Sequence, residues 1–161
     1  MNRTNILYFE DEDSKLHSDL PIVERTTINA ILWNPNLDEF LCLDWERFGW
    51  KTFIIGGVKD EENILEAAIR EIEEETGYID MEFIANLGKL RSGYFATHKG
   101  ENRIANTTGF LFGLKSDKQN TVENAVDLPH VFKWIPRNEV GAFLTLSSQK
   151  YLWDQDQEHI S

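Results

Sequence analysis

Three glutamates sit at the end of the one strongly periodic helical segment of this chain, where simple electrostatics would not place them. Asn63 followed by Glu66 forms an N-cap and N3 pair, so the helix is expected to begin at Ile64. Gly77 is placed to stop it in a left-handed conformation. Between them lies ILEAAIREIEEET. At about 100° per residue, Leu65, Ala68, Ile72 and Thr76 share one side, with Ile69 at its margin, and that stripe is expected to bury against a sheet. Glu71, Glu74 and Glu75 fall on a separate face, related by spacings of three and four. Glu66 and Glu73 point to solvent. Arg70 lies four residues after Glu66 and four before Glu74, within reach of either.

Like charges at these spacings destabilise a helix by roughly 0.2–0.5 kcal/mol per pair. Carboxylates in the last turn also oppose the helix dipole, at about 0.3–1 kcal/mol each when exposed. An arrangement that works against stability marks function. A divalent cation resolves the conflict, because three carboxylates within one turn offer the hard oxygen ligands that Mg²⁺ or Mn²⁺ prefers. Magnesium takes further ligands from phosphates, so the chemistry expected is at a phosphate ester or anhydride. The metal would neutralise developing charge, and a nearby carboxylate would orient or deprotonate the attacking water.

The elements that must position these acids read as mostly strands. TTINAILW, EFLCLDW after the turn-forming Asn34-Pro35-Asn36, and WKTFII precede Gly56-Gly57 and the helix. MEFIANLGKL, a polar loop near His98–Asn102, TTGFLFGLK and HVFKWI follow. A helix led by Pro136 and a segment around Gln149–Gln157 close the chain. This order predicts an α/β fold, a mixed sheet covered by helices rather than a regular βαβ repeat. Residues 10–19, EDEDSKLHSD, are polar and separate a short apolar opening from the body. The 161 residues suit one domain.

A net charge of −12 disfavours broad nucleic-acid binding, since the chain repels phosphate backbones wherever no cation reverses the field. No stretch approaches the ~20 apolar residues that span a bilayer, and no membrane partner is expected. The first residues lack the pattern of a secretory signal, and the single cysteine, Cys42, cannot form an internal disulfide. A cytoplasmic location is therefore expected.

The segment GGVKDEENILEAAIREIEEETGY resembles the Nudix box, whose pattern is Gly, five residues, Glu, seven residues, then Arg-Glu-apolar-x-Glu-Glu-x-Gly-apolar. Gly56, Glu62, Arg70, Glu71, Ile72, Glu74, Glu75 and Gly77 all match, with Tyr78 at the last apolar position. The resemblance implies an α/β/α sandwich with a mixed central sheet and the box as a loop–helix–loop. It implies residues 1–20 as an N-terminal arm or edge segment and 21–157 as the Nudix domain. It also implies a hydrolase acting on a nucleoside diphosphate linked to another moiety, with essential divalent metal. By the same resemblance, Glu74 and Glu75 bind metal, Glu71 binds metal or acts as base, Glu62 supports the network, and Arg70 orients the glutamates. Departures exist. Gly56, the first of its pair, keeps the spacing, which leaves the backbone-carbonyl ligand open between Ile55 and Gly56. A further acid from a later loop frequently completes such a set; Glu101, Glu123 and Asp127 are candidates. LCLDWERFGWKTFIIGG and FLTLSSQKYLW are similar to the Nudix-like domain inside some bacterial leucyl-tRNA synthetases.

For the substrate, Trp45, Phe48 and Trp50 before the box and Tyr94 and Phe95 after it offer faces for a nucleobase. Arg91, His98, Lys99 and Arg103 form the most basic stretch and could clamp a phosphate. Trp50, Tyr94 and Arg103 are the residues selected for substrate binding. His130 and Cys42 read as structural. The alternative to an enzyme is a non-catalytic module that binds a nucleotide or a protein, and a third reading, from the flanking strings, is a domain serving a synthetase-like assembly. The reading leaves room for a homodimer.

Overall fold

The computed structural model describes residues 5–97, 99–123 and 129–160. One sheet organises them. Its strands are β1 (Leu7–Glu10), β2 (Ile22–Asn34), β3 (Glu39–Trp45), β4 (Trp50–Thr52), β5 (Ile54–Gly57), β6 (Met81–Ala96), β7 (Glu101–Leu114) and β8 (Val131–Pro136). The order across the sheet is β1-β6-β7-β2-β3-β4, with β5 paired to β2 and β8 to β3. β1 runs parallel to β6 and β2 parallel to β7, while the other pairs are antiparallel, so the sheet is mixed. Helix α1 spans Ile64–Thr76, α2 Arg137–Phe143 and α3 Ser147–Asp156.

The period-two alternation of the strands sorts their side chains into two cores. Ile28, Ala30, Leu32, Leu41, Leu43, Phe110 and Phe112 pack with Ala67, Ala68 and Ile72 of α1. Ile31, Phe40, Cys42 and Leu111, one residue out of phase, pack with Val140 and Leu144 beside α2 and with Leu152 and Trp153 of α3. Helices thus cover both faces, the sandwich that the Nudix resemblance implies. Cys42 is fully buried, and burial pushes its thiol up to about 12, so it is a core residue.

The acidic helix begins and ends as its sequence predicts. The Asn63 side chain accepts from Leu65 N at 2.8 Å, and Gly77 closes the helix at φ 80° with its N–H on Glu73 O. Its buried face is wider than the expected stripe: Ala67 and Glu71 are also buried, whereas Leu65 and Ile69 are only partly so. Among the described residues, no helix is long and apolar enough to cross a membrane.

Candidate active site

β5 brings the glycine pair to the site. It lies antiparallel to β2 with Gly57 opposite Thr27 and Gly56 opposite Ile28. Because side chains alternate, the two glycines face opposite sides of the sheet. Gly56 faces α1, and a Cβ there would overlap the Glu71 carboxylate. The absence of a side chain at Gly56 is what admits Glu71 into the corner. No unusual backbone angle is involved, for Gly56 is not among the positive-φ glycines.

Arg70 is the hub of the acids. Its Nε donates to Glu62 Oε2 at 2.8 Å, its Nη2 to Glu62 Oε1 and Gly57 O, both at 2.9 Å, and its Nη1 to Glu71 Oε1 at 2.9 Å and Glu74 Oε2 at 3.1 Å. Of the two partners the spacing offered, Arg70 takes Glu74 and not Glu66; its strongest anchor is Glu62, eight residues back. That pairing holds the Glu62 carboxyl down at about 2, chiefly through the guanidinium bonds and then the Lys59 backbone N–H. Glu71 is only 8% exposed, and desolvation raises its carboxyl above the ordinary range although Arg70 pulls the other way. Glu74 is largely exposed.

Glu75 makes no bond to Arg70, though its charge still bears on Glu71. Its Oε2 is buried and lies 2.8 Å from His130 Nε2, yet the imidazole N–H is not aimed along that line and the oxygen has no hydrogen bond. We describe this as a close approach only, because a hydrogen bond needs alignment as well as distance. His130, packed edge-on against Trp45 at 4.3 Å, is buried beside the acid. The three carboxylates do not share one partner: Glu71 and Glu74 meet at Arg70, and Glu75 faces His130. Among the described residues, no group of three or more His, Cys, Asp or Glu side chains forms a metal cluster. Of the later acids, Glu123 lines a depression together with Glu73, Glu74 and Glu75. Glu101 is committed to Arg103 at 2.8 Å, and Asp127 lies outside the described residues.

A cavity of about 400 Å³ opens beside the glycine pair. That lies within the range of roughly 300–1,000 Å³ usual for small-molecule sites. Trp50, Tyr94 and Arg103, selected from the sequence, all line it together with Gly56 and Gly57. Trp50 meets Tyr94 edge-on at 6.0 Å. Phe95 is elsewhere, stacked on His17 at 3.7 Å. The basic stretch does not act as one clamp: Arg91 is paired with Glu24 at 2.7 Å, and His98 lies outside the described residues. A wider depression of about 740 Å³ near the N-terminal turn contains none of the box residues, but it shares Arg47, Phe48 and Trp50 with the cavity.

Several lining residues were not singled out in the sequence. Arg25, Thr27 and Asn29 occupy alternate positions of β2, and Gln149 comes from α3. The signal was present: RxTxN places three polar residues on one face of the strand. Which strand neighbours and which helix they meet was not legible.

Residues 23–157 match the family model described as NUDIX domain. The chain belongs to the Nudix family and is a hydrolase acting on acid anhydrides. Its fold is similar to C. elegans Ap4A hydrolase, with a TM-score of 0.64 at 17% identity, covering 86% of this chain and 100% of that one. E. coli dihydroneopterin triphosphate pyrophosphohydrolase gives 0.62 at 16% identity, with 86% and 98% covered. A MutT protein from Bacillus halodurans gives 0.57 at 22% identity, with 81% and 80% covered. No curated protein matches significantly. The likeness of the flanking strings to a leucyl-tRNA synthetase domain gains no support from these matches.

Proposed function

We propose that this protein hydrolyses a phosphoanhydride in a nucleoside diphosphate linked to another moiety, and does so with Mg²⁺ or Mn²⁺. The observation that carries the reading is the charge balance of the box: Glu62, Glu71 and Glu74 share one guanidinium, and a buried oxygen of Glu75 has no hydrogen bond. A buried polar atom without a partner costs about 1–3 kcal/mol, more if charged, so this set is incomplete as it stands. The donors are all hard oxygens, which fits a small divalent cation and not a soft one. Glu71, Glu74, Glu75 and the Gly56 carbonyl would hold it. When bound, such an ion neutralises phosphate charge and acts as a Lewis acid at the scissile phosphorus.

The chain's own groups do the rest. Arg70, anchored on Glu62 and Gly57 O, fixes Glu71 and Glu74 relative to the glycine loop. Arg70 bonds only Oε1 of Glu71, which leaves Oε2 to accept from the attacking water. Glu71 takes the proton from water as the water oxygen bonds to phosphorus; the anhydride P–O bond breaks and its electrons leave with the departing phosphate. Trp50 and Tyr94 stack on the nucleoside, and Arg103 contacts phosphate. The unit responsible is residues 21–157, with 1–20 contributing the edge strand β1.

Turnover of Glu74→Gln and Glu75→Gln on a panel of nucleotide sugars, dinucleoside polyphosphates and nucleotide cofactors with Mg²⁺ tests this reading. Both variants should fold and lose activity by about 100-fold or more, the scale of a lost transition-state charge contact. Full activity in either would refute the assignment. Calorimetric heat without phosphate release from wild type would favour the non-catalytic binding module instead.

A further inference from the structure

Most of the cavity's hydrogen-bonding capacity is used inside the protein. Asn29 Nδ2 donates to Ile54 O at 3.1 Å and to Gln149 Oε1 at 3.2 Å, and Gln149 Oε1 also accepts from Phe53 N at 3.0 Å. The hydroxyls of Thr27 and Thr107 pair with each other at 2.7 Å. Arg103 Nε donates to Glu101 Oε1 at 2.8 Å, while its other N–H groups are the ones assigned to phosphate above. The Asn29, Gln149 Oε1, Thr27 and Thr107 groups of the floor are therefore committed within the protein and are not left to read the edge of a base.

Two arginines are different. Among the described residues, the guanidinium groups of Arg25 and Arg47 make neither a hydrogen bond nor an ion pair, in a chain with 28 acids against 16 Lys and Arg. An unpaired exposed arginine is by itself ordinary. What distinguishes Arg25 is its seat. A Cβ on Gly57 would come within 2.9 Å of Arg25 Nη2, so the missing side chain lets the guanidinium lie over the loop backbone on the cavity face. The carbonyl of the same Gly57 accepts from Arg70 at 2.9 Å. The glycine pair is thus thinned twice over, at Gly56 for the Glu71 carboxylate and at Gly57 for the Arg25 cation. An uncommitted cation beside the acidic corner calls for an anion of its own, and Arg is suited to bidentate contact with phosphate.

We propose that Arg25, with Arg47 on the rim shared by the two depressions, grips the phosphate chain of the substrate from the cavity side of Gly57, so that the site selects on phosphate charge and tolerates different bases. This rests on the hydrolase reading of the same site. Trp50 and Tyr94 fit the tolerance, since every base has a face to stack.

Isothermal titration in Mg²⁺ with the hydrolysis-resistant α,β-methylene analogues of ADP and GDP, and with adenosine, tests it on the intact chain. Arg25→Gln should weaken binding of both analogues by about 10- to 100-fold, the equivalent of one hydrogen bond to a charged group. Adenosine, which lacks phosphate, should bind equally to wild type and variant. Arg25→Lys should recover part of the loss. Gly57→Ala should displace the guanidinium and weaken the analogues similarly, and the double variant Arg25→Gln/Gly57→Ala should be no weaker than Arg25→Gln alone. Unchanged affinity in Arg25→Gln overturns the proposal, as does a preference between the two analogues above about tenfold, the reach of one good hydrogen bond. The Arg25 effect in a protein that hydrolyses no anhydride would sink the hydrolase reading and leave this one standing; turnover without an Arg25 effect would do the reverse.

Discussion

Replacing Arg70 by glutamine removes five donated bonds at once: two to Glu62, one each to Glu71, Glu74 and Gly57 O. The stability lost is set mainly on the Glu71 side, where the arginine is 19% exposed and its partner 11%. Breaking a buried pair from one side costs about 3–5 kcal/mol, and partial solvent access lowers that to about 2–4 kcal/mol here. Glu74, more than half exposed, adds little, because water replaces the guanidinium there. The pH dependence has a defined sign. The Glu62 carboxyl is depressed in the folded state to about 2, so its contribution is present above the unfolded carboxylate range and disappears as pH falls towards 2. Glu71 is raised, so burying its charge costs stability at neutral pH and the cost is relieved by acid. Losing Arg70 aggravates the second effect and abolishes the first. The gap between wild type and Arg70→Gln should therefore be widest near neutrality and close steadily towards pH 3. Urea denaturation in EDTA, followed by tryptophan fluorescence across that range, measures it without metal. A loss below about 1 kcal/mol at pH 7, the level of a surface ion pair, would refute Arg70 as the hub. So would a gap that does not change with pH.

Two other outcomes follow from the geometry. Gly56→Ala places a methyl where the Glu71 carboxylate stands, so Glu71 must leave the corner. Stability should fall by about 1–3 kcal/mol, as for overpacking, with turnover lost in the folded fraction; wild-type turnover would contradict the packing. Asp156 is fully buried with both oxygens lacking hydrogen bonds, and burial pushes its carboxyl up to about 7. Between the unfolded carboxylate range and pH 7 the unfolded chain has lost this proton while the folded one keeps it, so stability declines as pH rises through that window. Asp156→Asn should remove the decline, worth up to about 1.4 kcal/mol per pH unit, and thermal melts from pH 4 to 8 would show identical slopes if the carboxyl were not held protonated.

How much of this was legible from residues alone varied with the range of the forces involved. The helix from Ile64 to Thr76, its Asn63 cap and its Gly77 stop are local, set within a few residues by side-chain hydrogen bonding and left-handed backbone freedom, and they appear as read. The reach of Arg70 to Glu74 is helical arithmetic, whereas its bond to the adjacent Glu71 is not. The Glu62–Arg70 bond is not, because it depends on how the loop from Gly57 to Asn63 folds back over the helix start. Arg91 and Arg103 show the same boundary. Their neighbours in sequence suggested a shared basic stretch, but Arg91 reaches across the sheet to Glu24 while Arg103 takes Glu101 two residues back on its own strand, and of the two only Arg103 reaches the cavity.

The sequence by itself determined the family, the acidic helix and the alternation that sorts β2 and β7 into two faces, since each rests on spacing along the chain. Only the tertiary structure decided that Gly56 and Gly57 serve opposite faces, that Glu75 turns to His130, and that Arg25 and Gln149 enter one cavity. Those outcomes depend on which strands become neighbours and which helix covers them. Contacts between groups far apart in the chain are chosen by packing the whole core, and no local pattern encodes that choice.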